Sequence, residues 1–447
     1  MTPAAALFFV HKGMLAWLLQ DTGQVHFFRR CYLEQPGIKG ELMRKTILLI
    51  GAFDVKGEEY QFVRNLIEAQ GYKTMSMNCG ILGSTKLFPV DVENDEVAAA
   101  GGGDILKLQQ ERDRGKGMEV MSKGVAAMVL KLHGQGKFDG VLGMGGSGGT
   151  SVIANGMRVL PIGVPKVMLS TVAAGDTTLI TGVKDVTMIP SIVDVAGINS
   201  ISEKVFKEAA GAICGMVNMD YAPSKDQKPI IAASMFGNTT ECVNMCRESL
   251  AAKGYEVLVF HSTGTGGSTM EGLVDDGYIY AVLDITTTEW ADEICNGVFS
   301  AGPDRLSAPG RAGIPHLIVP GCVDMANFGP METVPEKYSD RLFYKWNPNV
   351  TLMRTNVEEN ARMGEIFAQK ANEARGRTAF LFPRGGVSIL DSRGGEFWWP
   401  EADEAMFESI KKNLNPGIHV VEMEENINEK AFSDKAVEML MELMAQK

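Results

Sequence analysis

Between Phe138 and Ile153 the chain reads FDGVLGMGGSGGTSVI, six glycines in sixteen residues with a single charged side chain, Asp139. Gly143, Gly145 and Gly148 satisfy the G-x-G-x-x-G spacing, after an apolar strand-like run (Val141, Leu142) and before a helix predicted from Thr150 to Met157. Such a turn suits anions. Backbone without Cβ lets a ligand come close, and the first N–H groups of a helix lack an intrahelical acceptor and carry positive partial charge. A dinucleotide site would also want an acid roughly 20 residues beyond the turn, and a Walker A loop would want Gly-Lys-Ser/Thr. Neither is present. What remains is a phosphate cradle of main-chain N–H groups over Gly145, Gly146, Ser147, Gly148, Gly149, Thr150 and Ser151. The plainer alternative is a tight turn that lets helix and strand pack closely. A side chain at Gly148 is expected to block both the backbone conformation and the approach of a phosphate.

Other stretches carry chemistry at comparable places. IGAFDVKGEE sets Gly51, Asp54, Lys56 and Glu58 just past an apolar run, where Lys56 suits a phosphate and Asp54 a ribose hydroxyl or a metal-bound water. Arg112 and Arg114 in QQERDRGKGM are within reach of phosphates or lie on a solvated face. LSTVAAGDTTLITG gathers Ser170, Thr171, Gly175, Asp176, Thr177 and Thr178, hydroxyls and one acid suited to phosphate or Mg²⁺–water contacts, with Asp176 the metal candidate; the same residues suit helix capping. HSTGTGGSTME offers a second anion turn at Gly264, Gly266, Gly267 and Ser268, with His261 and Glu271 as titratable neighbours for acid–base catalysis. Asp284, Glu289, Asp324 and Asn327 follow strand-like runs and are expected to line the opposite wall of the same cleft.

From Lys45 onward, apolar runs alternate with helix-length segments, the rhythm of parallel strands joined by crossover helices. KPIIAASMFGNTTECVNMCRESLAAKGYEVLVF echoes KTILLIGAFDVKGEEYQFVRNLIEAQGYKTMSM: strand, glycine turn, amphipathic helix ending in Gly-Tyr, strand. The echo predicts two similar α/β units with a ligand cleft between them, over residues 43–220 and 230–447, joined by a polar linker at 221–229. Later strands are predicted in GIPHLIVPG, NVTLMRT and TAFLFPRGG.

Composition narrows the function classes. With 447 residues, two domains or more are expected; 55 acidic against 43 basic side chains give a net charge of −12, which opposes nonspecific binding to nucleic acid or to an anionic membrane. Seven scattered cysteines form no metal-ligand spacing and fit a reducing, cytoplasmic compartment. Residues 1–42 read as an N-terminal extension, too interrupted by His11 and Lys12 to be a membrane span.

The strings IGAFDVKGEE, GVLGMGGSGGTS, LPIGVPKVMLSTVAAG, PSIVDVAGIN and HSTGTGGSTMEGLV together resemble a family of uncharacterised proteins related to the ATP-binding N-terminal domain of the plant tobamovirus (tomato mosaic virus) resistance protein. The resemblance runs from Met43 to the C-terminus. It implies an α/β fold of two Rossmann-like subdomains with mainly parallel sheets, ATP in the N-terminal one with Mg²⁺ as an optional companion, and a homodimer. It points to Gly51, Asp54, Lys56, Arg112 and the Gly145–Ser151 cradle as nucleotide contacts. KWNPNVTLMRT lacks a histidine expected of relatives at that point. Two functions stay open. One is an ATP-binding protein with a second small-molecule site; the other is an enzyme acting with ATP-Mg on a small phosphorylated or carboxylated substrate.

Overall fold

A computed structural model describes residues 45–219 and 227–445. The extension at 1–42 and most of the linker at 221–229 lie outside the described residues. In the first unit, β1 (Thr46–Gly51), β2 (Lys73–Asn78), β3 (Gly140–Gly145), β4 (Lys166–Ser170) and β5 (Thr187–Pro190) form one parallel sheet in the order β2-β1-β3-β4-β5. β1 is apolar throughout because both its faces are covered. Ile47 and Leu49 pack with Phe53, Phe206 and Ile213 of the helices Phe53–Ala69 and Ser202–Asn218; Leu48 and Ile50 pack with Met121, Val125 and Ile153 of Arg114–Gly134 and Ser147–Arg158.

The second unit repeats the plan. β6 (Ile230–Met235), β7 (Glu256–His261), β8 (Ala281–Thr286), β9 (His316–Gly321), β13 (Thr378–Pro383) and β14 (His419–Met423) form a parallel sheet in the order β7-β6-β8-β9-β13-β14. The echo read from the sequence therefore corresponds to equivalent strands, with β1 and β6 in one role and β2 and β7 in another. One strand departs from the expected rhythm. NVTLMRT supplies β12 (Val350–Arg354), which pairs antiparallel with β10 (Met325–Phe328) and β11 (Phe343–Asn347) in a small third sheet. Only Pro348 and Asn349 separate β11 from β12, far too few residues for the crossover that parallel pairing requires.

Strand order reverses between β1 and β3 in the first sheet and between β6 and β8 in the second. Beyond the carboxyl ends of such neighbours, doubly wound sheets form a crevice. The polar contacts joining the units lie elsewhere: Lys184 Nζ meets Asp276 at 2.6 Å, Ile162 N–H donates to Asp276 Oδ2 at 3.0 Å, and Tyr278 OH donates to the Ile162 carbonyl at 2.6 Å. These residues precede β4, β5 and β8, at the amino ends of the strands.

Candidate functional site

The crevice of the first unit has a defined floor. Beyond the Ile50–Gly143 pair, the Tyr60 hydroxyl joins β1 to β3, accepting from Met144 N–H at 2.6 Å and contacting the Ile50 carbonyl. The ring is fully buried, and burial pushes its phenol well above the usual range. A Cβ on Gly51 would run into that ring. Gly51 is therefore bare to admit Tyr60, a packing reason the sequence did not disclose.

The glycine turn stands above this floor. The helix begins at Ser147, three residues earlier than expected, with Gly146 as its N-cap, so Gly148 and Gly149 belong to its first turn. None of Gly145, Gly146, Gly148 and Gly149 has positive φ, so the expected conformational reason for glycine at 148 does not hold. Their contacts separate them. A Cβ on Gly145 would stand 3.3 Å from Gly149 Cα, whereas one on Gly149 would meet nothing within 4 Å and one on Gly146 only Thr171 Oγ1 at 3.9 Å. Gly145 is there for close packing; Gly146 and Gly149 face open space. Among the described residues no group accepts from the N–H of Ser147, Gly148 or Gly149. Ser147, Ser151, Thr171 and Gly175 are exposed. Thr150 is not: its Oγ1 lies 2.6 Å from Ser170 Oγ and pins the helix to β4.

A cation stands beside the turn, and it is Arg114. A Cβ on Gly148 would stand 3.1 Å from Arg114 Nη2 and 3.7 Å from Met118 Cε. Asp113 caps the helix Arg114–Gly134 by accepting from Lys116 N–H at 3.0 Å, which holds Arg114 at the first helical position. The Arg114 side chain has no hydrogen-bond or ion-pair partner among the described residues. Arg112, favoured by the resemblance, is the left-handed cap of the preceding helix, with φ 53°, and is exposed.

The first turns of the helix Phe53–Ala69 border a cleft of about 510 Å³ lined by Asp54, Lys56, Thr85, Lys86 and Gly197. Asp54 Oδ2 accepts from Leu82 N–H at 2.9 Å, while its Oδ1 is buried without a partner. Lys56 Nζ donates to the Val195 carbonyl, and Glu59 accepts from Gly197 N–H at 2.6 Å, so both tie down the segment after β5. Burial pushes the nearby Cys79 thiol up to about 12. Asp176 Oδ1 accepts from Thr178 N–H at 2.9 Å and from its hydroxyl, bonds that lower its carboxyl. That is a local turn just ahead of the short helix Thr178–Thr181, whose N-cap is Thr177. Among the described residues no three His, Cys, Asp or Glu side chains are grouped to hold a metal ion.

The second glycine turn already holds an anion, and it is the chain's own Glu289. Glu289 Oε1 accepts from Gly264 N–H at 2.8 Å and Gly267 N–H at 3.0 Å, and Oε2 from Arg305 Nε at 2.6 Å. Gly264 has φ 79°, and a Cβ on Gly266 or Gly267 would collide with the His261 carbonyl or the Glu289 carboxylate. Ser268 reaches the Ala301 carbonyl at 3.4 Å. This turn follows β7, an edge strand, rather than either strand flanking the crevice. Arg305, 1 % exposed, also grips Asp284 through two bonds of 2.6 Å and meets Glu271 at 3.3 Å. Glu271, 7 % exposed, engages both oxygens, with Leu306 and Ala308 N–H groups donating at 2.7 and 2.6 Å, and so holds that segment in place. His261 is exposed at the end of β7 beside Phe236, and partial burial lowers its imidazole. Asp284, Glu289, Asp324 and Asn327 are at most 1 % exposed, so they form core rather than the wall of a cleft.

Asp324 and a further buried acid, Asp292, set a pH dependence. Burial pushes the carboxyls of Asp292 and Asp324 up to about 7, in Asp324 with help from Asp391. An unfolded aspartate titrates near 3.9. Between those values the folded chain holds protons that the unfolded chain has lost, so this contribution to stability is full below the lower value and disappears as pH rises through the upper one. At Asp284 burial opposes ionisation, but Arg305 and His316 outweigh it and hold the carboxyl well below the usual range; that contribution is present above the unfolded value and is lost in acid. The chain is expected to melt at higher temperature at about pH 6 than at about pH 8, with the difference reduced in Asp324→Asn. Melting curves across this range check it.

Residues 45–222 match the N-terminal domain, and residues 228–444 the C-terminal domain, of the uncharacterised protein family UPF0261. A UPF0261 protein of Clostridium tetani is 47 % identical over 403 residues, 90 % of this chain and 100 % of that protein. The tomato (Solanum lycopersicum) ToMV resistance protein Tm-1(GCR237) is 40 % identical over 337 residues, 74 % of this chain but only 45 % of that longer protein. Among solved structures, the Streptomyces sp. SF2575 glycosyltransferase SsfS6 overlaps 62 % of this chain and 82 % of its own at 14 % identity and a TM-score of 0.21, too slight a likeness to carry weight. With both domains matched and a full-length bacterial relative at this identity, the chain belongs to the uncharacterised protein family UPF0261.

Proposed function

We propose that this protein binds one ATP at the carboxyl edge of the first sheet, its phosphates on the N–H groups of Ser147, Gly148 and Gly149 and on the Arg114 guanidinium. The observation that carries the reading is the combination at one place of three unused helix N-terminal donors, two glycines open to space and an unpaired arginine. The identity of the nucleotide as ATP rests on the family resemblance. Mg²⁺ would be held largely by phosphate oxygens and water. Asp54, in the first turn of the helix after β1 and with an unpartnered Oδ1, is the protein acid best suited to help. The enzyme reading loses its main support, since the turn meant for a second substrate is occupied by Glu289 and the intended acid–base group Glu271 is engaged.

The test is Arg114→Gln. A charge-assisted hydrogen bond contributes about 1.5–3 kcal/mol, so calorimetric titration should show ATP binding weakened about 10- to 100-fold with the melting temperature unchanged. Arg112→Gln should change affinity little. Equal affinity of Arg114→Gln and the parent chain would reject the proposed contact.

A further inference from the structure

At the opposite edge of the second sheet, by the amino ends of its strands, two cavities of about 500 and 590 Å³ share one side chain, Arg377. The first is lined by Thr378, His419 and Glu442 with Met439 and Leu443 as an apolar wall. The second is lined by Tyr278, Tyr280, Ile314, Pro315 and Met444, with the charged Glu256 and Lys228 also on its wall. The exposed Arg377 side chain has no ion pair or hydrogen bond among the described residues. Thr378, only 9 % exposed beside it, has a hydroxyl with no partner among the described residues. Tyr278 and Tyr280 remain 45 % and 48 % exposed.

We propose that this groove binds a small monocarboxylic acid with an apolar body, its carboxylate on Arg377 and its body against the tyrosines, Ile314 and Met444. A guanidinium presents the planar pair of donors that a carboxylate accepts, and an apolar lining with few polar groups is the usual make-up of a small-molecule site. Glu256 and Glu442 flank Arg377 from the two cavities, and Lys228 lines the second cavity with Glu256. The site stands apart from the glycine turn of the first unit and does not depend on ATP binding there.

The experiment is calorimetric titration of the full chain with phenylacetate and with its neutral isostere phenylacetamide. Phenylacetate should bind at least about tenfold more tightly than the amide, the worth of a charged hydrogen-bonded contact. Arg377→Gln should bring the acid down to the level of the amide without changing ATP binding. Glu442→Gln should leave the acid's affinity equal or raise it. Acid and amide binding alike, Arg377→Gln leaving the acid's affinity unchanged, or no heat from phenylacetate or isovalerate at millimolar concentration would each overturn the proposal.

Discussion

Arg305→Ala is expected to unfold the second unit. Arg305 is 1 % exposed and pairs with Asp284, Glu289 and Glu271, so its removal leaves three buried carboxyl groups with only His316, 3.3 Å from Asp284, to face them. Breaking a buried pair by deleting one partner costs about 3–5 kcal/mol, and here several bonds fail together. A domain has only about 5–15 kcal/mol in total. Arg305→Lys retains the charge but not the fork that holds Asp284 at two points, so an intermediate loss is expected. Circular dichroism melts of both variants check this. A native-like melt for Arg305→Ala would mean that the three acids take up protons at little cost, and that the network is not what holds this unit together.

Gly149→Asp is expected to abolish ATP binding without harming the fold. A Cβ at 149 meets nothing within 4 Å, the backbone there is not left-handed, and a carboxylate in the first turn of a helix is stabilising by about 0.3–1 kcal/mol. The same charge would stand where the phosphates are proposed to sit, and like charges brought together cost several kcal/mol, an affinity loss of about 100-fold or more. Stability and binding therefore move in opposite directions, which separates a lost ligand contact from general damage. Calorimetry beside a thermal melt reads both.

The fold was legible where local pattern and global role agree. TILLIG could only be a strand covered on both faces, and the repeated strand–glycine–helix–strand unit correctly announced two sheets of one plan. The third sheet escaped notice because NVTLMRT is as apolar as its parallel neighbours; only the two-residue connection before it marks a hairpin. At the site, the glycine turn was legible and its individual roles were not. Gly51, Gly145 and Gly149 look alike in sequence, yet a tyrosine ring, a helix backbone and open space face them. Arg112 and Arg114 lie two residues apart, and the cap at Asp113 decides which of them reaches the turn. The second turn misled for a physical reason: main-chain N–H groups accept a phosphate or a carboxylate alike, and the carboxylate lies 22–25 residues further along the chain at Glu289.

The most direct measurement is a calorimetric titration of the unmodified chain with ATP, repeated in the presence of inorganic tripolyphosphate and of adenosine. Because the second unit fills its own glycine turn and the first leaves its turn open, one ATP per chain is expected, with tripolyphosphate competing strongly and adenosine weakly. Two equivalent sites per chain, or ATP binding that tripolyphosphate does not affect, would contradict it.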